Sequence, residues 1–382
     1  MALGSGDKIL VVAGVPRSLV NFRGPLLKSL ISHGLSVHVA APDLLSNQIL
    51  SSQLMDWGVV PHDITLGRTG VNPITDVLTL ISLYKLFRSL RIDAVLTYTA
   101  KPVIYGTLAA WLAGIPSRFA LITGLGYAFT GKASGKRSAL RFILRSLYRL
   151  ALAHSKLVLF QNPDDEKLFR ELAILSPSIE SRVVNGSGVN LHHFNRAPFR
   201  KGKVKFLMIA RLLGDKGVRE YVKAAALVKK RHPDAIFILV GDIDTNPDSV
   251  KKHELEEWSN SGVIDYLGRL EDVRPVLAES SVYVLPSYRE GTPRTVLEAM
   301  ATGRAIITTD APGCRETVIP GVNGFLVPVR SIAALADAMC NFISEPNLID
   351  SMGRRSREIA EEKYDVDKVN AAMLNGLGVD GC

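Results

Sequence analysis

The residues best able to do chemistry crowd into positions 286–300, Pro-Ser-Tyr-Arg-Glu-Gly-Thr-Pro-Arg-Thr-Val-Leu-Glu-Ala-Met. The apolar run Val282–Leu285 precedes them and reads as a buried strand. Thr292 has the chemistry of a helix N-cap, and Pro293 that of a first helical residue. A helix opening there turns the backbone N–H groups of Arg294, Thr295 and Val296 back past the strand end. With the helix dipole they form an anion site suited to a diphosphate. Glu290 precedes the helix and Glu298 falls in its second turn. One carboxylate can touch a ligand beside its phosphates while the other reaches a different part, such as ribose hydroxyls. The plain alternative is a capped surface helix with two solvated acids; the position at a strand end argues against it.

Further cations and small motifs surround that picture. Arg211 and Lys216 lie in Ala-Arg-Leu-Leu-Gly-Asp-Lys-Gly, directly after the apolar run at 204–210. At a strand end they can neutralise a leaving diphosphate, Arg as a fork and Lys as a point charge. A surface bridge between Arg211 and Asp215 is the competing reading. Asp242-Ile243-Asp244 has the D-x-D form of a metal site, a pattern that recurs by chance, and no metal is expected. The eight histidines show no ligand spacing. In the first strand-to-helix connection Gly14 and Gly24 frame a loop without G-x-G-x-x-G, so an oxidoreductase dinucleotide fingerprint is missing. In 131–154, Arg137, Arg141, Arg145 and Arg149 recur every four residues, with Lys132 and Lys136 just before and no acid in the stretch. Leucines and Ile143 alternate with them. This predicts an amphipathic helix whose basic stripe meets an anionic membrane surface or acidic ligand, or else a solvated cationic face over a core.

The elements that must position these groups alternate along the chain. Apolar runs at 8–13, 35–41, 93–97, 119–123 and 156–160 are separated by helix-like stretches, one at 24–33. The pattern restarts after a polar linker at 195–203, with runs at 204–210, 235–240, 263–267, 282–285 and 304–308. Continuous apolar strands alternating with helices predict parallel sheets covered on both faces. Two doubly wound α/β domains therefore follow in tandem, with a cleft where the strand C-termini face each other. Helical stretches at 332–342 and 347–362 end the chain. The 382 residues suit two domains, and 47% hydrophobic content excludes intrinsic disorder. Cys314, Cys340 and Cys382 are too few and too scattered for a disulfide scaffold or zinc module, and reduced thiols in a cytoplasmic setting are expected. Residues 1–200 hold 22 Lys+Arg against 11 Asp+Glu, a net of +11; residues 201–382 hold 24 against 26, a net of −2. A basic half suits nucleic acid, anionic lipid or a phosphorylated substrate. No apolar stretch approaches the ~20 residues of a membrane span, and no basic region leads the first apolar run as in a signal peptide. Membrane contact is expected to be peripheral.

The spacing of Glu290 and Glu298, the Arg211 and Lys216 pair and the tandem α/β halves resemble the retaining GT-B glycosyltransferases of family four. Several stretches sharpen the resemblance over nearly the whole chain: FRGPLLKSL, TGLGYAF, FQNPDDEKLF, ARLLGDKG, DYLGRLEDVRP, LPSYREGTPRTVLEAMATGRAIITTDAPGCRE and GVNGFLVPV. They look like the branch that builds bacterial capsule, O-antigen and N-glycan precursors on undecaprenyl diphosphate. The resemblance implies a UDP-sugar donor, of a hexose or an N-acetylhexosamine, on a second domain at 198–363. The acceptor, a lipid-linked saccharide, would lie on a basic first domain at 1–197, and a tail at 364–382 would return to that domain. Arg211 and Lys216 would hold the diphosphate, Glu298 the ribose and Glu290 the donor-sugar hydroxyls. The backbone at Gly268 and Arg269 would receive the base, with Thr292, Arg294, Thr295, Val296 and Gly14 around the donor. Transfer would retain the anomeric configuration by front-face attack, with no cofactor and no metal, at the inner face of the plasma membrane.

Two departures stand out. Thr123 occupies a position where many relatives place a donor-facing His, which puts the donor sugar in doubt, and Asn190 stands where an Asp is usual. Two other function classes stay open at this stage. A UDP-sugar epimerase of the same architecture would turn over donor without acceptor. A nucleic-acid-binding protein would use the basic half, but the sequence carries no reading motif and no stacking aromatics interleaved with the cations, so no nucleic-acid partner is expected.

Overall fold

The computed structural model describes residues 3–67, 72–125, 136–199, 202–244, 246 and 248–379. The chain divides into two units, Met1–Ser187 with Asp367–Cys382, and Gly188–Val366.

The first unit runs β1 (Lys8–Val12), α1 (Pro16–Asn21), α2 (Gly24–Ser32), β2 (Ser36–Ala41), α3 (Gln48–Asp56), β3 (Val60–Asp63), α4 (Pro73–Leu90), β4 (Ala94–Tyr98), α5 (Thr107–Leu112), β5 (Ser117–Ile122), α6 (Lys136–Leu152), β6 (Leu157–Phe160), α7 (Pro163–Glu171) and β7 (Glu180–Val183). The seven strands form one parallel sheet in the order β3-β2-β1-β4-β5-β6-β7. Right-handed crossovers then put α1–α3 on one face and α4–α7 on the other. The two cores follow strand alternation. Ile9, Val11, Val37 and Val39 pack with Leu19, Leu27, Leu30 and Leu54. On the other face Leu10, Val12 and Val95 meet Leu83 and Phe87 of α4, while Ala120, Ile122, Val158 and Phe160 meet Tyr148, Ala151 and Leu152 of α6.

The second unit runs β8 (Lys205–Ile209), α8 (Val218–Arg231), β9 (Ile236–Val240), α9 (Lys252–Asn260), β10 (Asp265–Tyr266), α10 (Arg274–Glu279), β11 (Val282–Leu285), α11 (Arg294–Ala301), β12 (Ala305–Thr309), β13 (Gly324–Val327), α12 (Ile332–Ser344) and α13 (Asn347–Ile359). Its six parallel strands are ordered β10-β9-β8-β11-β12-β13. The order reverses between β8 and β11, the switch point at whose carboxyl end open α/β sheets place their ligands. Residues ahead of β8 also pack here: Val189 N–H donates to Tyr364 O at 2.8 Å and Ala197 N–H to Thr302 O at 3.0 Å. The last helix, α14 (Val366–Leu377), places Met373, Leu374 and Leu377 in the core of the first unit against Leu157 and Leu159. The two parallel-sheet units are the pair of Rossmann-like domains that the GT-B resemblance implies. Among the described residues Cys314 and Cys340 are free thiols.

One polar contact ties the edge of the first sheet. His38 on β2 and His62 on β3 stand in stacked register, Nδ1 of the first 2.9 Å from Nε2 of the second. Burial lowers the pKa of both rings, and at His38 the neighbouring His62 and the Lys8 charge add to it. A neutral pair shares one hydrogen bond; two imidazolium rings have no acceptor to share. Both folded values lie below the ordinary 6.5. The contribution is therefore fully present above that pH and lost as pH falls through it toward the folded values. Thermal unfolding followed between pH 7.5 and 5.5 should show Tm falling with acidification, and His38→Gln/His62→Gln should flatten that slope. An unchanged slope in the double variant would remove the pair from the acid response.

Candidate active site

Four loops at the carboxyl end of the second sheet carry most of the chemistry-bearing residues. The β8 loop supplies Arg211 and Lys216, the β11 loop Glu290 and Thr292, the β10 end Gly268 and Arg269, and α11 supplies Arg294, Thr295, Val296 and Glu298. Two direct pairs form. Lys216 Nζ lies 2.6 Å from Glu290 Oε1, with both side chains mostly buried (14% and 17% exposed). Burial pulls the Lys216 pKa down, but the Glu290 carboxylate, by charge and hydrogen bond, more than offsets it, and the ammonium is held above its ordinary pKa. An ammonium has three N–H donors. One meets Glu290. The second pair lies on α11, where Arg294 Nε donates to Glu298 Oε1 at 2.9 Å. Glu298 is buried, which raises its pKa, and the Arg294 charge and hydrogen bond pull the other way. The buried Tyr283 hydroxyl, which donates to Ile209 O at 2.9 Å, has its pKa raised chiefly by burial and further by the charges of Glu298 and Glu290. Along the chain Glu290 follows β11 and Glu298 lies within α11.

Other residues fall differently from expectation. Arg211 does not bridge to Asp215; its Nη1 stands 3.3 Å from Asp244 Oδ2 and its side chain is 62% exposed. Asp244 is thus engaged with a cation and with its own loop, accepting from Asn246 N–H at 2.9 Å. Asp242 accepts from the Ile243 N–H at 2.9 Å. Among the described residues no group of three or more His, Cys, Asp or Glu is placed to hold a metal. Thr292 is not the N-cap and Pro293 is not helical. Pro293 sits extended at φ −72°, ψ 107° as the N-cap, and α11 opens at Arg294. The cause lies in the neighbouring loop: Glu290 N–H donates to Pro312 O at 2.9 Å, which fixes the path into the helix. Val296 N–H is consequently used, donating to Pro293 O at 3.0 Å. Gly268 takes φ +67° and its carbonyl accepts from Gly241 N–H at 2.9 Å, while Arg269 is exposed. Asn190 makes a turn, its Oδ1 accepting from His192 and His193 N–H at 3.0 and 2.9 Å.

Gly14 and Thr123 belong to the first unit, at the ends of β1 and β5; Gly14 is buried and Thr123 half-buried. A Cβ on Gly14 would stand 2.8 Å from Thr99 Oγ1. The basic stripe lies on α6, with Arg141 and Arg145 half-buried and Arg149 exposed. Arg149 caps the end of α7, its Nε donating to Ala173 O at 2.7 Å. Lys132 and the side chains of Lys136 and Arg137 lie outside the described residues.

Sequence reasoning missed the residues that brace the loops. Gly313, at φ +80°, packs so closely that a Cβ would stand 2.2 Å from Glu290 O and 2.5 Å from Gly291 O. Gly217, at φ +73°, presses likewise on Pro286 O. Tyr288 N–H donates to Asp215 O at 2.8 Å and its hydroxyl to Glu220 Oε1 at 2.6 Å. A Pro-Gly step straight after a strand was the available signal for Gly313. Gly321 supplies the control: it has a similar φ of +77°, but a Cβ there would meet nothing within 4 Å. Gly321→Ala should cost about 1 kcal/mol, the backbone strain alone. Gly313→Ala adds a backbone clash and should cost roughly 3 kcal/mol or more, read as a larger fall in Tm. Equal Tm values for the two variants would mean the 290–291 loop yields to a methyl group.

Known proteins extend this picture. Residues 191–359 match the family model described as glycosyl transferases group 1, and residues 8–162 match glycosyl transferase 4-like. The chain is 30% identical over 361 residues to the N,N'-diacetylbacillosaminyl-diphospho-undecaprenol α-1,3-N-acetylgalactosaminyltransferase of Campylobacter jejuni, covering 91% of this chain and 92% of that one. It is 29% identical to the UDP-Gal:α-D-GlcNAc-diphosphoundecaprenol α-1,3-galactosyltransferase of Escherichia coli, over 78% of each chain. Among solved structures, Anabaena HepE in complex with UDP superposes with a TM-score of 0.76 at 17% identity, covering 97% of this chain and 99% of that one.

Proposed function

The chain belongs to the group 1 glycosyl transferases, and from that premise we propose that it moves a hexose or N-acetylhexosamine from a UDP-sugar to a saccharide carried on a polyprenyl diphosphate. The observation that carries the donor half is the Lys216–Glu290 contact at 2.6 Å beside the buried Arg294–Glu298 pair. A cation held charged at a topological switch point suits a diphosphate, and a buried carboxylate suits a sugar diol. In this reading Lys216 and Arg211 take the diphosphate, Glu298 takes the ribose, and Glu290 takes hydroxyls of the transferred sugar. Gly268 and Arg269 border the base, and Thr292, Arg294 and Thr295 the phosphates. The acceptor half rests on the two curated relatives, whose names specify diphospho-undecaprenol saccharides and α-1,3 products.

An α-linked product from an α-linked UDP-sugar means retention. The C1–O bond to the diphosphate breaks, the acceptor hydroxyl oxygen bonds C1 on the same face, and its proton passes to the departing phosphate oxygen. Positioning and charge stabilisation then carry the rate. The side-chain cations Lys216 and Arg211 do the work a metal would otherwise do, and no metal or other cofactor takes part in this reading. No described helix is long and apolar enough to cross a membrane. The lipid diphosphate of the acceptor would meet the first unit near Arg141, Arg145 and Arg149, with the protein on the inner face of the plasma membrane.

Calorimetric titration with UDP in excess EDTA tests the donor site. Wild type should bind, and Glu298→Ala should weaken binding tenfold or more, about 1.4 kcal/mol. Glu290→Gln should also weaken UDP binding, since it takes from Lys216 the carboxylate that holds its ammonium, and should cut the transfer rate by roughly 100-fold. Binding that requires a divalent ion and is lost on Asp242→Ala would overturn the fixed-cation account. Turnover of UDP-sugar to an epimer without any acceptor would replace transfer with epimerisation.

A further inference from the structure

Ten of the twenty exposed large hydrophobic side chains among the described residues lie on three successive helices of the first unit. On α4 they are Ile74, Val77, Leu78, Ile81 and Tyr84. That spacing is one stripe of a helix surface. The opposite side of the same helix buries Thr79, Leu83 and Phe87 against the sheet. A helix apolar on both sides is expected inside a protein, yet half of α4 is open. Beside it α5 exposes Trp111 and Leu112, and α6 exposes Phe142, Ile143 and Leu150. All three helices cover one face of the sheet, with α5 packed against both α4 and α6.

The charges around this patch have one sign. Lys85 and Arg88 extend the α4 stripe, Arg91 follows its end, and α6 brings Arg141, Arg145 and Arg149. The single acid of α4, Asp76, is buried and held by Lys101 at 2.8 Å. Neither α5 nor α6 contains an acid. A second copy seated face to face would place these cations against themselves, which opposes association. An anionic bilayer complements both features: apolar side chains enter the boundary of headgroups and acyl chains, and each nearby Lys or Arg adds roughly 1 kcal/mol of attraction. From Ile74 to Tyr84 the stripe runs about 15 Å at 1.5 Å per residue, half of a hydrocarbon core, so it lies along the interface and does not cross it.

We propose that the outer face of α4, with the exposed residues of α5 and α6, is a docking surface that inserts into an anionic lipid bilayer. The choice of bilayer rests on the lipid-linked-acceptor reading; the location rests on the helix itself.

Cosedimentation of the full chain with phosphatidylcholine vesicles, with or without half phosphatidylglycerol, tests it. The expected result is binding to the phosphatidylglycerol vesicles that weakens in 0.5 M salt. The variant Val77→Gln/Ile81→Gln should lower the bound fraction at least fivefold while keeping UDP affinity and transfer to a detergent-dispersed acceptor. If wild type ignores the vesicles, or the α4 variant binds like wild type while Arg141→Gln/Arg145→Gln does not, the proposal is overturned. It is equally overturned if lipid-free wild type sediments as a dimer and the α4 variant as a monomer, which assigns the face to a second copy. Loss of transfer to the dispersed acceptor by wild type would sink the transferase reading separately, since vesicle binding is measured without substrate.

Discussion

The organisation of the second unit depends on keeping one ammonium charged at the mouth of a sheet. A lone buried lysine discharges, because leaving water costs the ion several kcal/mol. Lys216 stays charged because Glu290 stands 2.6 Å away on a different loop. That contact exists only if the β8 and β11 loops are brought to register. The parallel order places β8 and β11 side by side at the reversal point. Gly217 against Pro286, and Gly313 against Glu290 and Gly291, leave the two loops no room to drift. Tyr288 completes the brace by holding Asp215 O and Glu220. The pair is thus a product of topology and of two close backbone approaches as much as of its own charges.

The first unit solves a different problem. Its helices must cover a sheet whose strands are apolar on both faces, and α1–α3 do so with one apolar side each. On the other face α4 carries apolar side chains inward and outward, so sheet packing accounts for only half of them. The net of +11 in residues 1–200 belongs with this surplus. Exposed apolar area raises the tendency to aggregate, and a surrounding field of one sign counters it in water while attracting an oppositely charged surface.

Much of this architecture was legible in the sequence because buried parallel strands are continuous apolar runs. KILVV, IFILV and VYVL stand out against their neighbours, and the ends of these runs lie within a residue or two of the strand ends. Three strands were not read from such runs: β3, Val-Pro-His-Asp, β7, Glu-Ser-Arg-Val, and β13, Gly-Phe-Leu-Val, all at sheet edges where one flank needs no apolar partner. The outer stripe of α4 was hidden by its own inner face, since apolar residues all round a helix show no periodicity. In the second unit's loops, residue types singled out Glu290, Glu298 and Lys216 as candidates, but their contacts depended on loop paths set far away in sequence. Arg211 found Asp244 and not Asp215, and the Pro312 carbonyl moved the start of α11 past Thr292 and Pro293.

That last shift changes the helix terminus little. Had Pro293 been the first helical residue, it would have offered no amide and Val296 would have bonded the Thr292 carbonyl, leaving Arg294 and Thr295. With Pro293 extended, its carbonyl takes the Val296 and Leu297 amides at 3.0 and 3.3 Å, and the same two residues open the helix. Lys216 is fixed and kept ionised by Glu290, while Arg211 is mostly exposed and held by a single 3.3 Å contact to Asp244. A ligand phosphate could draw Arg211 from Asp244 at small cost, because exposed pairs contribute about 0–1 kcal/mol. Lys216 could not leave Glu290 without abandoning a buried carboxylate. The two cations are therefore held unlike, Lys216 by a mostly buried contact and Arg211 by one exposed one.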